Sequence, residues 1–211
     1  MDIDLSQLDD RLKYNLLNGA VVPRPIAWVS TMDNEGRLNL APFSSFALCS
    51  YSPPLLSFCP TLKTIEKDGQ KINVPKDTLR NIGNTYEFVV NIVSFDLVEK
   101  MNSTAGQYEP GISEFEEVGL TPAPSRLVKP PRVKEARISF ECTLHAVLNF
   151  GTHANAGNMV IGNIVSAHVA EDVWVGGHVL PEVLNPVGRL AGTDYCKVTD
   201  IFQLPRPWTI A

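Results

Sequence analysis

The sequence has no C-x-x-C pair and no histidine spacing that would hold a metal. Its four cysteines, Cys49, Cys59, Cys142 and Cys196, are scattered, which excludes the common zinc frameworks and predicts free thiols in a reducing compartment. The histidines, His145, His153, His168 and His178, make no H-E-x-x-H. His145 and His168 fall in strand-like segments as structural residues, while His153 and His178 fall in loops and stay open as candidates. A basic excess is also lacking. The formal net charge is −5 and the pI is near 5.4, so a sequence-independent nucleic-acid binder is excluded, though a local seat for one phosphate is not. No apolar run approaches the ~18 residues of a membrane span. The opening MDIDLSQLDD is acidic rather than signal-like, and the expected location is cytoplasmic. Neither G-x-G-x-x-G after a strand nor G-x-x-x-x-G-K-[ST] nor G-x-S-x-G is present, which removes Rossmann, P-loop and serine-hydrolase sites.

What is present is an ordinary soluble composition, 44% hydrophobic and 19% charged, expected to form a single domain over residues 1–211. Residues 1–20 carry Leu5, Leu8, Leu12, Leu16 and Leu17 at near-helical spacing before Gly19. This predicts a short amphipathic helix that coats the core and ends at that glycine. From Arg24 to Phe46 the text is RPIAWVSTMDNEGRLNLAPFSSF: a strand, a turn at Asp33–Gly36, and a returning strand. Further strands are expected at 48–52 and 55–59 around Pro53-Pro54, at 87–94, 138–150 and 159–169. Residues 61–74 read as an exposed hairpin or mobile loop. A helix over 75–83 would be capped by Asp77 or Thr78 and stopped by Gly83. Another over 95–103 would be capped by Ser94, with Leu97, Val98 and Met101 inward. Residues 106–131 are a proline-rich excursion with a helical turn near 112–118. This pattern predicts a mainly β protein, a closed or partly closed barrel with flanking helices.

Small polar groups gather at two places. Ser30 and Thr31 close the first strand, Asn39 precedes Ala41-Pro42, and Ser44-Ser45-Phe46 follow. Pro42 lacks a ladder donor, so pairing should lapse nearby and leave amides free for a ligand. The alternative is that these are turn residues only. The second place is Lys76-Asp77-Thr78 with Arg80, where a lysine beside helix-terminal amides would suit a phosphate. The alternative there is an ordinary capped surface helix.

Four segments in order, RPIAWVSTMDNEGRLNLAPFSSF, PKDTLRNI, EFVVNIVS and NPVGRLAGTDYCKV, resemble the flavin reductase-like family with its FMN-binding split barrel of Greek-key type. The resemblance runs from about Val22 to the C-terminus. It implies FMN held non-covalently, typically at a homodimer interface, and reduced by NADH or NADPH, with electrons passed to a small-molecule acceptor. It implies no catalytic side chain, because the flavin carries the chemistry. It places Arg24, Ser30, Thr31, Asn39, Ala41, Pro42, Ser44, Ser45 and Phe46 along the flavin, and Lys76, Asp77 and Thr78 near its phosphate. Asn91 lies in the matching strand, and Arg189 and Tyr195 line the site from the C-terminal segment. Trp28 or Phe46 would pack on the ring. The chain departs from the pattern in residues 61–74, where a shorter glycine-rich stretch is expected. It departs again at Ala156-Gly157-Asn158, which carries no histidine on the approach to Gly162. Two other roles fit the same residues: an FMN-binding electron carrier that does not oxidise nicotinamide, and a non-catalytic split-barrel binding module.

Overall fold

The computed structural model of the chain describes residues 1–106, 108 and 112–205. Strand β1 (Ala27–Met32) turns back into β2 (Leu38–Phe43) through Asp33–Gly36. The Asp33 carboxylate accepts the N–H groups of Glu35 and Arg37, and Gly36 takes φ 85°, the left-handed conformation glycine reaches without strain. Strands β3 (Phe46–Tyr51) and β4 (Pro54–Phe58) follow. The segment 61–74 is a hairpin, β5 (Leu62–Lys67) and β6 (Gln70–Pro75), whose Asp68-Gly69 turn has positive φ at both positions, as a two-residue hairpin loop requires. After helix α2 (Asp77–Thr85) comes β7 (Glu87–Ile92), a 3-10 turn at Phe95–Leu97, and α3 (Val98–Ser103). The 106–131 excursion holds α4 (Glu114–Glu117) and β8 (Pro122–Ala123), which pairs with β9 (Arg132–Val133). Two long strands, β10 (Ile138–Asn149) and β11 (Asn158–Val169), form the largest hairpin. Beyond them lie the short ribbon β12 (Trp174–Val175) with β13 (His178–Val179), helix α5 (Pro181–Leu184), and the pair β14 (Val187–Arg189) and β15 (Tyr195–Lys197).

Seven strands make one antiparallel sheet in the order β2-β1-β7-β10-β11-β4-β3. The connection from β4 to β7 skips β11 and β10, a Greek-key step. The sheet curls upon itself. Phe43 in β2 and Phe58 in β4 stand almost at opposite edges, yet their rings meet at 5.2 Å, and Phe58 meets Phe88 of β7 at 5.6 Å. Their neighbours Ala27, Val29, Val90, Cys142 and Val160 complete the barrel interior. Gly162 of β11 faces this core because a Cβ there would lie 2.4 Å from the Phe88 ring. The other face of β1 and β2 carries Trp28 and Leu40, covered by Leu97, Met101, Phe115 and Val133. Strand β1 is therefore buried on both faces.

Several expectations need correction. Helix α1 (Asp10–Ala20) buries no residue, and Leu12, Leu16 and Leu17 are 50%, 39% and 50% exposed. The excursion and α3 already cover the outer core, and α1 is tied down through main chain instead. Gly19 lies within that helix, which ends at Ala20 with Val21 as its C-cap. Helix α2 runs past Gly83 to Tyr86, which takes the left-handed φ of 60° and donates its N–H to Ile82. Its N-cap is Lys76, not Asp77 or Thr78. Ser94 makes no capping bond, and its buried Oγ lacks a partner. Among the described residues no helix is long and apolar enough to cross a membrane.

Candidate functional site

Strand β2 is an edge of the sheet, and a groove of about 360 Å³ runs along it. Asn39, Ala41, Pro42 and Phe43 form its floor. Lys63, Thr64 and Ile65 of β5, with Lys76, Asp77 and Thr78 at the start of α2, form one wall. Thr104, Ala105, Gly106, Tyr108 and Glu114 form the other.

The direction of the β2 amides follows from one bond. Leu40 donates its N–H to the Glu114 carboxylate at 2.9 Å, so it points away from β1. Directions repeat every second residue, so the ring nitrogen of Pro42 is also on the open side. The expected lapse in pairing at Pro42 is thus displaced: the β1 ladder runs through Trp28 opposite Pro42 and Ala27 opposite Phe43. Proline is tolerated because the donor it lacks would face the groove. Pairing stops at Ser44-Ser45, between the end of the β1–β2 ladder and the start of β3–β4 at Phe46. Ser44 is half-buried there and Ser45 exposed.

At the far end the groove meets the N-terminus of α2. Lys76 supplies no side-chain cap, and the first intrahelical bond is from the Arg80 N–H to the Lys76 carbonyl, at 3.0 Å. The amides of Asp77, Thr78 and Leu79 therefore have no partner within the helix. Asp77 does not turn back to cap them because its carboxylate is held by Lys63 at 3.1 Å and Arg80 at 2.6 Å. Burial would raise the Asp77 pKa, but these two cations outweigh it and bring it below the ordinary value. Burial, then the Lys63 charge, lower the pKa of Lys76. Glu114 is only 9% exposed, and burial raises its pKa against the opposing bond from Leu40. Two cations on one carboxylate, with Lys76 next to it in the chain and helix amides that have no partner within the helix, leave a positive seat that fits a phosphate.

Of the residues singled out in the sequence, the structure brings Asn39, Ala41, Pro42, Lys76, Asp77 and Thr78 to the groove, where Asn39 Nδ2 donates to Thr78 Oγ1 at 2.9 Å. Ser44, Ser45 and Phe46 continue the chain beyond its floor. The rest are occupied elsewhere. Ser30, Thr31 and Asn91 are fully buried. Ser30 Oγ donates to the Pro131 carbonyl, and Thr31 Oγ1 accepts from Asn81 Nδ2. Asn91 donates to the Trp28 carbonyl and accepts from Val133 N–H and Ser139 Oγ. The Ser30 main chain is paired on both sides, with β2 and β7, so its amide is not free for a ligand. Trp28 is fully buried and donates its Nε1–H to Thr104, so it cannot stack on a ring in the groove. Arg24 spends its guanidinium on the carbonyls of Asn18, Val21 and Leu190, clamping α1 to the C-terminal segment. Arg189 stacks on the Tyr195 ring at 4.4 Å, and Tyr195 donates to Asn102 Oδ1 in α3, which braces the helix leading to Thr104. Lys63, Glu114 and the Thr104–Gly106 wall went unseen in the sequence. The departure of residues 61–74 from the expected pattern was the one signal pointing to Lys63.

Comparison with known proteins agrees with this architecture. A family profile described as "flavin reductase like domain" matches residues 19–179. The crystal structure of nitrilotriacetate monooxygenase component B from Bacillus cereus superposes with a TM-score of 0.89 at 37% identity, covering 97% of this chain and 98% of that one. The 2-nitrobenzoate 2-nitroreductase NbaA of Pseudomonas fluorescens gives 0.86 at 34% identity, with 98% and 96% covered. A Shewanella frigidimarina protein assigned as a flavin reductase with a split barrel domain gives 0.79 at 25% identity, with 95% of each chain covered. With its curled seven-stranded sheet, its open β2 edge and a match spanning most of its length, the chain belongs to the flavin reductase-like family and has the split-barrel fold.

Proposed function

We propose that this protein is an oxidoreductase that binds FMN along the β2 edge and passes reducing equivalents from NADH or NADPH to a small-molecule acceptor. The observation that carries this is the groove itself: an apolar strip ending at an uncapped, cationic helix terminus. Lys76, the first amides of α2 and the Thr78 hydroxyl would hold the phosphate, with Lys63 and Arg80 adding charge. Ala41, Pro42 and Phe43 offer a floor with no outward N–H at Pro42, against which a flat ring can lie. The amides of Ser44 and Ser45, between the two ladders, would donate to the polar edge of that ring.

Bound FMN supplies the hydride-accepting chemistry. The protein's part is placement and exclusion of water, and this accounts for a site without an acid–base dyad. The names of two structural relatives, a monooxygenase component and a nitroreductase, support a small acceptor. The exposed leucines of α1, together with Leu48 and Tyr51 of β3, support a homodimer, since apolar surface left open on one chain favours burial against another.

Purified protein incubated with FMN should retain a flavin spectrum after gel filtration, and NADH or NADPH should bleach it anaerobically. Bound flavin that neither nucleotide bleaches would make the protein an electron carrier. Protein that retains no flavin would overturn the proposal. Light scattering on the eluting peak, giving twice the chain mass, tests the dimer.

A further inference from the structure

The β5–β6 hairpin that contributes a wall of the groove stands apart from the seven-stranded sheet, as a two-stranded sheet of its own. A lone hairpin is marginal in water, so contacts outside it must set where it stands. Its base is held: Thr61 bridges to Gly157, and Leu62 packs on the barrel core. Further along the hairpin, Asn73 of β6 uses both ends of its amide. Its Oδ1 accepts from the cross-strand Thr64 Oγ1 at 2.9 Å, and its Nδ2 donates to the Thr152 carbonyl at 3.1 Å. Among the described residues no other hydrogen bond runs from β5 or β6 to the loop between β10 and β11. That loop is itself fastened. Ala156 donates its N–H to the His153 carbonyl, Phe150 to the Gly157 carbonyl, and Asn155 Nδ2 to Asp10 of α1.

Side chains alternate along a strand. Leu62 and Thr64 therefore share the barrel face of β5, and Lys63 lies on the reverse, where its Nζ meets Asp77 at 3.1 Å. That ion pair is exposed at both ends, and an exposed pair holds little by itself. Lys63 thus goes where the hairpin backbone carries it. Yet Lys63 is one of the two cations that keep the Asp77 carboxylate from turning back onto the first amides of α2.

We propose that Asn73 is a positioning residue for the phosphate seat. By tying β6 to the β10–β11 loop it holds Lys63 on Asp77, and so leaves the α2 amides open to an anion. The inference rests on the phosphate seat of the proposed function. Asn73 acts through Lys63 and touches no ligand. Without the bond to Thr152 the hairpin swings about its base, Lys63 leaves Asp77, and the freed carboxylate competes for the helix terminus.

The test measures dissociation constants of FMN and riboflavin for the wild type, Asn73→Ala, Lys63→Ala and the double variant, with amide hydrogen exchange alongside. Asn73→Ala should weaken FMN about three- to tenfold, the effect of one hydrogen bond. Riboflavin, without a phosphate, should bind as it does to the wild type, which also shows that the site is folded. Exchange should quicken in residues 62–75 and stay as it was in β10 and β11. With Lys63 already alanine, removing Asn73 should weaken FMN no further, because both changes act through one contact. Losses that multiply in the double variant would mean that Asn73 acts by another route, and the proposal falls. It falls equally if riboflavin is weakened as much as FMN, or if Asn73→Ala binds FMN like the wild type; in both cases the flavin groove stands. Failure of the wild type to bind FMN at all overturns the proposed function, and this inference with it.

Discussion

Strands β1 and β2 lie side by side and carry the same kinds of residue, yet they do opposite work. The polar groups of β1, Ser30 and Thr31, are sealed between two ladders and bond only to protein. Those of β2 and the adjoining α2, Asn39 and Thr78, pair with one another at the wall of a groove. Position in the sheet makes the difference. A central strand has no free amide, and its hydroxyls must be satisfied internally. An edge strand has one open row, and here that row is partly capped by Glu114 and partly abolished by Pro42.

The strongest way to break this contrast is Asn91→Ala. It strips partners from the Trp28 carbonyl, the Val133 amide and the Ser139 hydroxyl, all buried. Urea unfolding should show a loss of about 3 kcal/mol, with flavin affinity per folded molecule unchanged; a selective loss of flavin binding would put Asn91 back in the site. Next in size is Lys76→Ala. Losing a charge-assisted contact of ~1.5–3 kcal/mol should weaken FMN about ten- to a hundredfold. Riboflavin, lacking the phosphate, should bind as before, and the melting temperature should hardly move.

Glu114→Gln sharpens the contrast through pH. Burial raises the Glu114 pKa above its unfolded value, so between the two the native state holds more protons than the unfolded chain. Stability then falls as pH rises through that window. The glutamine variant can still accept the Leu40 N–H through its carbonyl oxygen. It should therefore gain melting temperature relative to wild type at neutral pH and lose that gain below the ordinary glutamate range. An unchanged difference from pH 4 to 7 would show that Glu114 is not strained by its burial. The smallest effect belongs to Pro42→Ala, which restores an N–H on the open side only. Denaturation should shift by less than about 1 kcal/mol, mostly through the unfolded chain. A larger stabilisation would mean that a ladder bond had formed, contrary to the direction assigned to that nitrogen.

Much of the fold was legible because its signals are local. The Asp33–Gly36 turn, the β-branched run of β7 and the long β10 and β11 strands read directly from turn residues and alternation, while Asp68-Gly69 left a hairpin and a mobile loop both open and the structure shows the hairpin. The site was legible only in part. Ser30 and Asn39 look alike on the page, and which one faces a ligand depends on strand order, which no single segment encodes. The leucines of α1 have helical spacing, but spacing does not say whether a core is available to receive them. Glu114 sits in a run of acids, Glu114, Glu116 and Glu117, and only the excursion's path over β2 distinguishes the buried one. Gly83 looked like a helix stop, yet Tyr86 three residues later took the left-handed position instead.

The contact between Phe43 and Phe58 has a mechanical consequence. It joins the two ends of the curled sheet where β2 and β3 share no hydrogen bonds. A zipper of main-chain bonds would open all or nothing, whereas touching rings part gradually, each atom pair yielding only about 0.1–0.2 kcal/mol. The cylinder is therefore closed on this side by side-chain packing rather than by a hydrogen-bonded ladder, so a substitution that shrinks either ring would loosen the closure without removing a main-chain bond.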